Sequence, residues 1–333
     1  MRPAAIRTTN MTSIRSIAAV CFSLSLAGGP AAGADNYPVR PVRMIAPYPP
    51  GGGVDTVARV ISLALSESLR TPMVVENRAG ASGRIGTDFA AKAPADGYTL
   101  LLGSVGPNAV IPAVSLPQSE NSAVEFAPVS LVASSGYVLL VHPSVPAKSI
   151  REFIALAKAR PGQLNYATTG SLGGPHLAGE LFGHMAGIRI APVNYKGGSP
   201  QMIAVIGGEV PAAFTSLPSA MSFVTSGKIR ALGVTSGKRS PTAPDIPAIG
   251  ETVPGYEVTQ WWGVLAPAGT PKDIIQLLHQ AIVRAVAMEK VKQQLLNAGA
   301  EPATNTPEQF GAHIQAEIVK WRRVAKATGL RPE

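Results

Sequence analysis

From residue 42 onward the chain alternates short apolar runs with segments whose apolar residues recur every three or four positions. Residues 42–46, 73–76 and 98–102 read as strands, each short, apolar and bounded by glycine, proline or polar clusters. After the first strand, Val57, Ile61, Ala64, Leu65 and Leu69 fall on one helical face, with Asp55 near the helix start. The stretch 129–141 reads as two strands separated by Ser134-Ser135-Gly136. A second series follows, with helices over 150–159, 176–186, 200–206 and 219–226 and strands over 164–168, 192–195, 210–214 and 229–235. Residues 236–247 carry proline, serine and basic side chains without a period, which predicts a surface connection. One more strand over 261–266 precedes three C-terminal helices that open at Thr270-Pro271, Ala287 and Thr306-Pro307.

This alternation is that of an α/β protein with a parallel or mixed sheet in each of two lobes. Two α/β series joined by two crossings predict a cleft between them. Lobe 1 combines residues 35–138 with 240–333, and lobe 2 takes 139–239.

The first residues read differently. Arg2, Arg7 and Arg15 precede an apolar run over 17–27 that is too short to span a bilayer, and Ala32-Gly33-Ala34 supplies a small-residue cleavage pattern. Residues 1–34 are therefore expected to be a cleaved export signal, with Asp35 the mature start and Met11 an alternative initiator. The sole cysteine, Cys21, lies within it, so the mature chain is expected to have no disulfide, thiolate nucleophile or cysteine metal site. Removing three arginines and no acid takes the formal charge from +9 to +6. The remaining charges are dispersed, their densest cluster being Lys320, Arg322, Arg323 and Lys326 on the last helix, which reads as a solvated face. Nucleic acid is an unexpected partner, as is membrane insertion of the mature chain. A modest positive field favours small anions.

Composition changes the picture once more. Charged residues are only 15% of the 333, while 34 glycines and 30 prolines are unusually many. Three glycine loops stand at strand ends where α/β sheets bind ligands: Gly51-Gly52-Gly53-Val54-Asp55, Gly80-Ala81-Ser82-Gly83 and Thr168-Thr169-Gly170-Ser171-Leu172-Gly173-Gly174. Each opens a helix, where free N–H groups attract an anion. None matches a nucleotide signature, and the five histidines show no metal-ligand spacing, so no cofactor and no metal are expected. Asp55 reads as a first-turn acid and not a catalytic base. His176 has two readings, ligand contact or cap of its loop. Trp261-Trp262 reads as packing at the lobe junction. Ser171 with His176 would be the only nucleophile–base pair, in a segment that misses the nucleophile-elbow pattern. A non-enzyme is expected.

Several of these residues carry a family likeness. Tyr48-Pro49-Pro50-Gly51-Gly52-Gly53-Val54-Asp55, Val75-Glu76-Asn77-Arg78-Ala79-Gly80-Ala81, Asp96-Gly97-Tyr98-Thr99-Leu100 and His176-Leu177-Ala178-Gly179-Glu180 appear in order, followed by Tyr195-Lys196-Gly197-Gly198 and Ala266-Pro267-Ala268-Gly269-Thr270-Pro271. The chain resembles the tripartite tricarboxylate transporter substrate-binding proteins, the Bug receptor family. The resemblance implies a periplasmic solute-binding protein of the type II, Venus-flytrap kind, monomeric, in a Gram-negative cell. It would close on a small carboxylate and deliver it to inner-membrane permease subunits or to a sensor protein. By position it implies a ligand shell of Tyr48, Gly52, Gly53 and Asp55, then Ala81 and Ser82, then Ser104 and Asn108. Gly170, Ser171, His176, Tyr195 and Thr215 complete it from the opposite lobe. Thr215 stands where relatives often have an acid, Asn108 where many have histidine, and 115–124 departs from the family pattern.

Overall fold

A computed structural model describes residues 37–114, 125–195 and 198–329. The expected signal at 1–34 with Cys21, the divergent stretch 115–124 and the motif residues Lys196-Gly197 lie outside the described residues. In chain order the first elements are β1 (Val42–Ala46), α1 (Gly53–Leu69), β2 (Met73–Asn77), α2 (Arg84–Ala91), β3 (Thr99–Ser104) and β4 (Phe126–Val141). The middle of the chain supplies α3 (Ile150–Ala159), β5 (Leu164–Thr168), α4 (Gly174–Ala186), β6 (Ile190–Asn194), α5 (Gly198–Ile206), β7 (Ala212–Ser216), α6 (Leu217–Thr225) and β8 (Arg230–Val234). The last are β9 (Thr259–Pro267), α7 (Lys272–Ala287), α8 (Glu289–Asn297), β10 (Glu301–Pro302) and α9 (Pro307–Thr328).

The strands make two mixed arrays that share β4. In one, β2, β1 and β3 run parallel, β9 pairs antiparallel with both β3 and the first part of β4, and β10 adds to β4. In the other, the last part of β4 pairs antiparallel with β7 and β8, while β5 runs parallel to β6 and β7. Alternation along each strand sends side chains to both faces. Val138 and Leu140 enter one apolar cluster with Ala213, Val205 and Ile246, while Leu139 and Val141 enter another with Phe153, Phe182 and Tyr256. On the other array Met44 and Ala46 pack with Ile61, Leu65 and Ile282.

Three features differ from the reading of pattern alone. Ser134-Ser135-Gly136 does not break the strand: β4 is continuous for 16 residues and passes from one array to the other at Gly136–Tyr137. Register shifts between Pro128 and Ser130 and between Leu131 and Ala133 bend it instead of ending it. The segment after β3 is helical: Gly106–Val110 forms a wide turn that continues into Ile111–Val114, because Pro107 falls at the helix start where no N–H is needed. Finally, Ala243, Ile246 and Ala248 pack in the cluster of Val138 and Val234, and Ala248 bridges to Val234. The chain returns to the first array only at β9.

That return is fastened at Thr235, which is fully buried. Its hydroxyl donates to the Val258 carbonyl (2.6 Å) and accepts from the Tyr137 N–H (2.7 Å). Its own N–H donates to the Tyr137 carbonyl and its carbonyl accepts from the Val258 N–H. One side chain thus joins both segments that cross between the arrays. Thr235→Val keeps the volume but strands a buried donor and a buried acceptor, so we expect a loss of roughly 2–3 kcal/mol of unfolding free energy in urea melts. An unchanged midpoint would show that the crossing does not depend on this side chain.

Candidate functional site

The loop after β1 is held from behind. The Gly51 N–H, on a residue at φ +84°, donates to Asp55 Oδ2 at 2.9 Å. The same oxygen accepts from Arg59 Nε at 3.0 Å, one helical turn on, and Asp55 Oδ1 accepts from Asn77 Nδ2 at 2.9 Å. Asn77 Nδ2 also reaches the Tyr48 carbonyl (3.0 Å), and Arg59 Nη2 donates to Asn77 Oδ1 (3.2 Å). Burial raises the Asp55 carboxyl, but Arg59, the Gly51 amide and Asn77 outweigh that and hold it below the usual carboxylate range. Asp55 therefore clamps the loop and stays ionised.

The front of the loop is bare. Gly52, in extended conformation, is the N-cap of α1 and supplies no side-chain cap. A helix start leaves its first N–H groups without intrahelical acceptors and carries a partial positive charge. The same construction recurs across the cleft. Gly173 precedes α4 without a side-chain cap, and Ser216 precedes α6 without one, its hydroxyl bonded to that of Ser219 (2.6 Å). The openings of α1, α4, α5 and α6 line one cavity of about 720 Å³ through Gly52 and Gly53, Gly173 and Gly174, Gly198 and Ser199, and Ser216 and Ser219. No Asp, Glu, Lys, Arg or His lines it among the described residues.

Its floor is formed by β4, the strand shared by the two arrays, and by its neighbour β9. Ser135 and Tyr137 come from β4, and Gln260 and Trp262 from β9, two apart as a strand face requires. Tyr137 donates to Gln260 Oε1 at 2.7 Å, and burial raises its phenol so that it stays neutral. A methyl on Gly174 would collide with the Tyr137 hydroxyl, so only glycine lets α4 start here. Trp262 lies under Gly53, is 6% exposed, and its indole N–H has no partner among the described residues. Trp261 points the other way, against Phe310 and His313.

Of the residues singled out from sequence, Tyr48, Gly52, Gly53 and Thr215 line the cavity. Burial pushes the Tyr48 phenol up to about 12, with the Ser104 hydroxyl partly offsetting it, and the phenol donates to the Ser82 carbonyl at 3.0 Å. Ser82 and Ala81 form an exposed turn with left-handed backbone (φ +54° and +47°) that supports Tyr48 and does not line the cavity. Ser104 and Asn108 are buried beneath it, the Ser104 N–H donating to Asn108 Oδ1 at 3.0 Å. Gly170 and Ser171 lie on the outer part of their loop, where Ser171 Oγ accepts from Asn194 Nδ2. His176 Nδ1 accepts from the Leu172 N–H at 3.2 Å, and Nε2 sits 3.8 Å from Glu180, so the ring pins the loop from within. Tyr195 donates to Glu209 (2.9 Å) and does not line the cavity.

Ser135, Tyr137, Gln260, Trp262 and the openings of α5 and α6 were not anticipated. The last two carry a sequence signal, Gly198-Ser199-Pro200 and Ser216-Leu217-Pro218, a small residue followed by proline in the first turn.

Comparison with known proteins agrees with this geometry. Residues 57–330 match the tripartite tricarboxylate transporter family receptor. The chain is 37% identical to Protein BugT of Bordetella pertussis over 324 residues, covering 97% of this chain and 99% of that protein. Among solved structures, R. palustris Rpa4515 with adipate is 36% identical with a TM-score of 0.80, over 89% of this chain and all of that one. Periplasmic binding protein BugD is 31% identical with a TM-score of 0.77, over 89% and 100%. MatC of Rhodopseudomonas palustris with bound malate is 29% identical with a TM-score of 0.75, over 86% and 99%. The fold is thus the bilobed α/β periplasmic-binding architecture.

Asp55→Ala leaves the Gly51 amide and Arg59 without their acceptor, and we expect a loss of about 1–3 kcal/mol in chemical denaturation at neutral pH. Because the folded pKa is depressed, this contribution is complete above the unfolded value near ~3.9 and is lost as pH falls through the lower folded value. The gap between wild type and variant should close in that acidic window. A gap that persists there would show that Asp55 acts through packing and not through charge.

Proposed function

Because the chain belongs to the tripartite tricarboxylate transporter receptor family, whose members are periplasmic transport receptors and not enzymes, we propose that it captures a small carboxylate between its two lobes and presents it to a permease of that transporter class. The observation that carries the reading is the set of four helix starts on one cavity whose lining, among the described residues, has no charged side chain. A carboxylate placed there meets main-chain N–H groups and the positive ends of four helices. Each charge-assisted bond contributes about 1.5–3 kcal/mol, and a few of them reach the roughly −8 kcal/mol of micromolar binding after ordering costs. Adipate in Rpa4515 and malate in MatC are ligands of the same class.

The moving bodies are taken as the two strand arrays with their helices, hinged where β4 crosses at Gly136–Tyr137 and where the chain returns between Val258 and β9. The α1 opening belongs to one body and the α4, α5 and α6 openings to the other. An anion that bonds to both favours the closed state by its differential affinity. The Ser171–His176 hydrolase is set aside, because a transport receptor needs no turnover and His176 Nδ1 is engaged by its own loop.

Thermal shift of the purified protein against mono-, di- and tricarboxylates tests this directly, with stabilisation by at least one carboxylate expected. Thr215→Asp puts a like charge at the cavity wall and should weaken that carboxylate at least tenfold, about 1.4 kcal/mol. Tighter binding in the variant, or no carboxylate that stabilises the wild type, would contradict the reading.

A further inference from the structure

The two helices that supply most of the far wall share a gradient. On α5, Ser199 at the opening is followed on the same face by Met202, Ile203 and Ile206, at positions i+3, i+4 and i+7. On α6, Ser219 is followed by Phe223 at i+4. All of these line the cavity. Each turn rises about 5.4 Å, so the wall passes from polar helix starts to wholly apolar side chains within one turn and stays apolar for a second. Ile203 is 71% exposed at this wall, a large apolar surface left in water that a seated ligand would cover. The same cavity is also lined by Ala298 and Gly299, which offer neither charge nor a polar side chain. Among the described residues no carboxylate lines the cavity to serve as counter-charge for an ammonium group, and Thr215 stands neutral among them.

From this gradient, and resting on the carboxylate-receptor reading above, we infer that the ligand is an amine-free carboxylate with an apolar body. Its anionic head sits at the helix starts and its hydrocarbon lies along Met202, Ile203, Ile206 and Phe223. A hydroxylated body would lose water at this wall without gaining a partner, and an ammonium would be desolvated without a counter-charge. A methylene-rich body removes apolar surface on both sides from water. Selectivity thus follows from the body and not from the number of carboxylates.

The test is calorimetric titration of ligand-stripped, refolded protein with pairs matched in carbon chain and in number of carboxylates: hexanedioate against its tetrahydroxy counterpart galactarate, and pentanedioate against glutamate, which adds an ammonium. Butanedioate to octanedioate and benzoate complete the panel. The apolar member of each pair should bind at least about tenfold tighter. Ile203→Asn, at an exposed position that leaves the core untouched, should narrow the hexanedioate–galactarate gap by several-fold, chiefly through weaker hexanedioate binding. Equal or tighter binding of the hydroxylated or aminated members would overturn the apolar-body inference and leave the receptor reading intact. Binding by no carboxylate in the panel would overturn both, and an Ile203→Asn variant that lowers both members of the pair equally would place the body elsewhere.

Discussion

Helix starts that face a common space and are not capped by their own side chains are the constraint on which this molecule is built. Four helix starts meet at the cavity, those of α1, α4 and α6 with no side-chain cap, and a start without a capping oxygen leaves main-chain donors and partial positive charge unanswered. An anion answers both. Among the described residues no acid lines the cavity, and Asp55, the first-turn acid of α1, is turned behind its loop to hold Gly51 and Arg59. The glycines follow from the same demand: at 174 any side chain would meet the Tyr137 hydroxyl, and at 53 a methyl would press on Trp262. A lightly charged, glycine-rich composition is what a receptor of this design requires.

The strands under the cavity serve two ends at once. β4 runs unbroken from one array into the other, and β9 returns the chain, so their facing residues Ser135, Tyr137, Gln260 and Trp262 are both the floor of the site and the neighbours of the crossing. Thr235 fastens the two crossing segments to each other by its side chain and its main chain. A ligand resting on this floor, as proposed, would touch the joint between the arrays and so couple occupancy to their relative position with no separate relay.

Much of this was legible in the chain. Helix α3 carries a clean helical period and Ser149 caps it through the Glu152 N–H, while β5 is a short run bounded by polar and glycine residues, so both were readable to the residue. The glycines at 52 and 53 were legible as a helix start, and they line the cavity. The shoulders of the other loops were not separable from their centres: Gly170 and Ser171 look like Gly173 and Gly174 in composition, yet only the second pair faces the cleft. Ser134-Ser135-Gly136 resembles a turn, but strand pairing on both sides overrides local preference. Trp261 and Trp262 are indistinguishable until strand alternation assigns one to the core and the other to the site. Long-range pairing decides such matters, and a single sequence does not encode it in any local window.

The central claim is that main-chain donors at helix starts hold the ligand. Its most direct test is the amide spectrum of 15N-labelled protein titrated with a stabilising carboxylate. The account predicts that the N–H resonances of Gly52, Gly53, Gly174 and Gly198 move downfield together and saturate with the calorimetric binding curve. A carboxylate that binds with the same curve while those four resonances stay in place would contradict it.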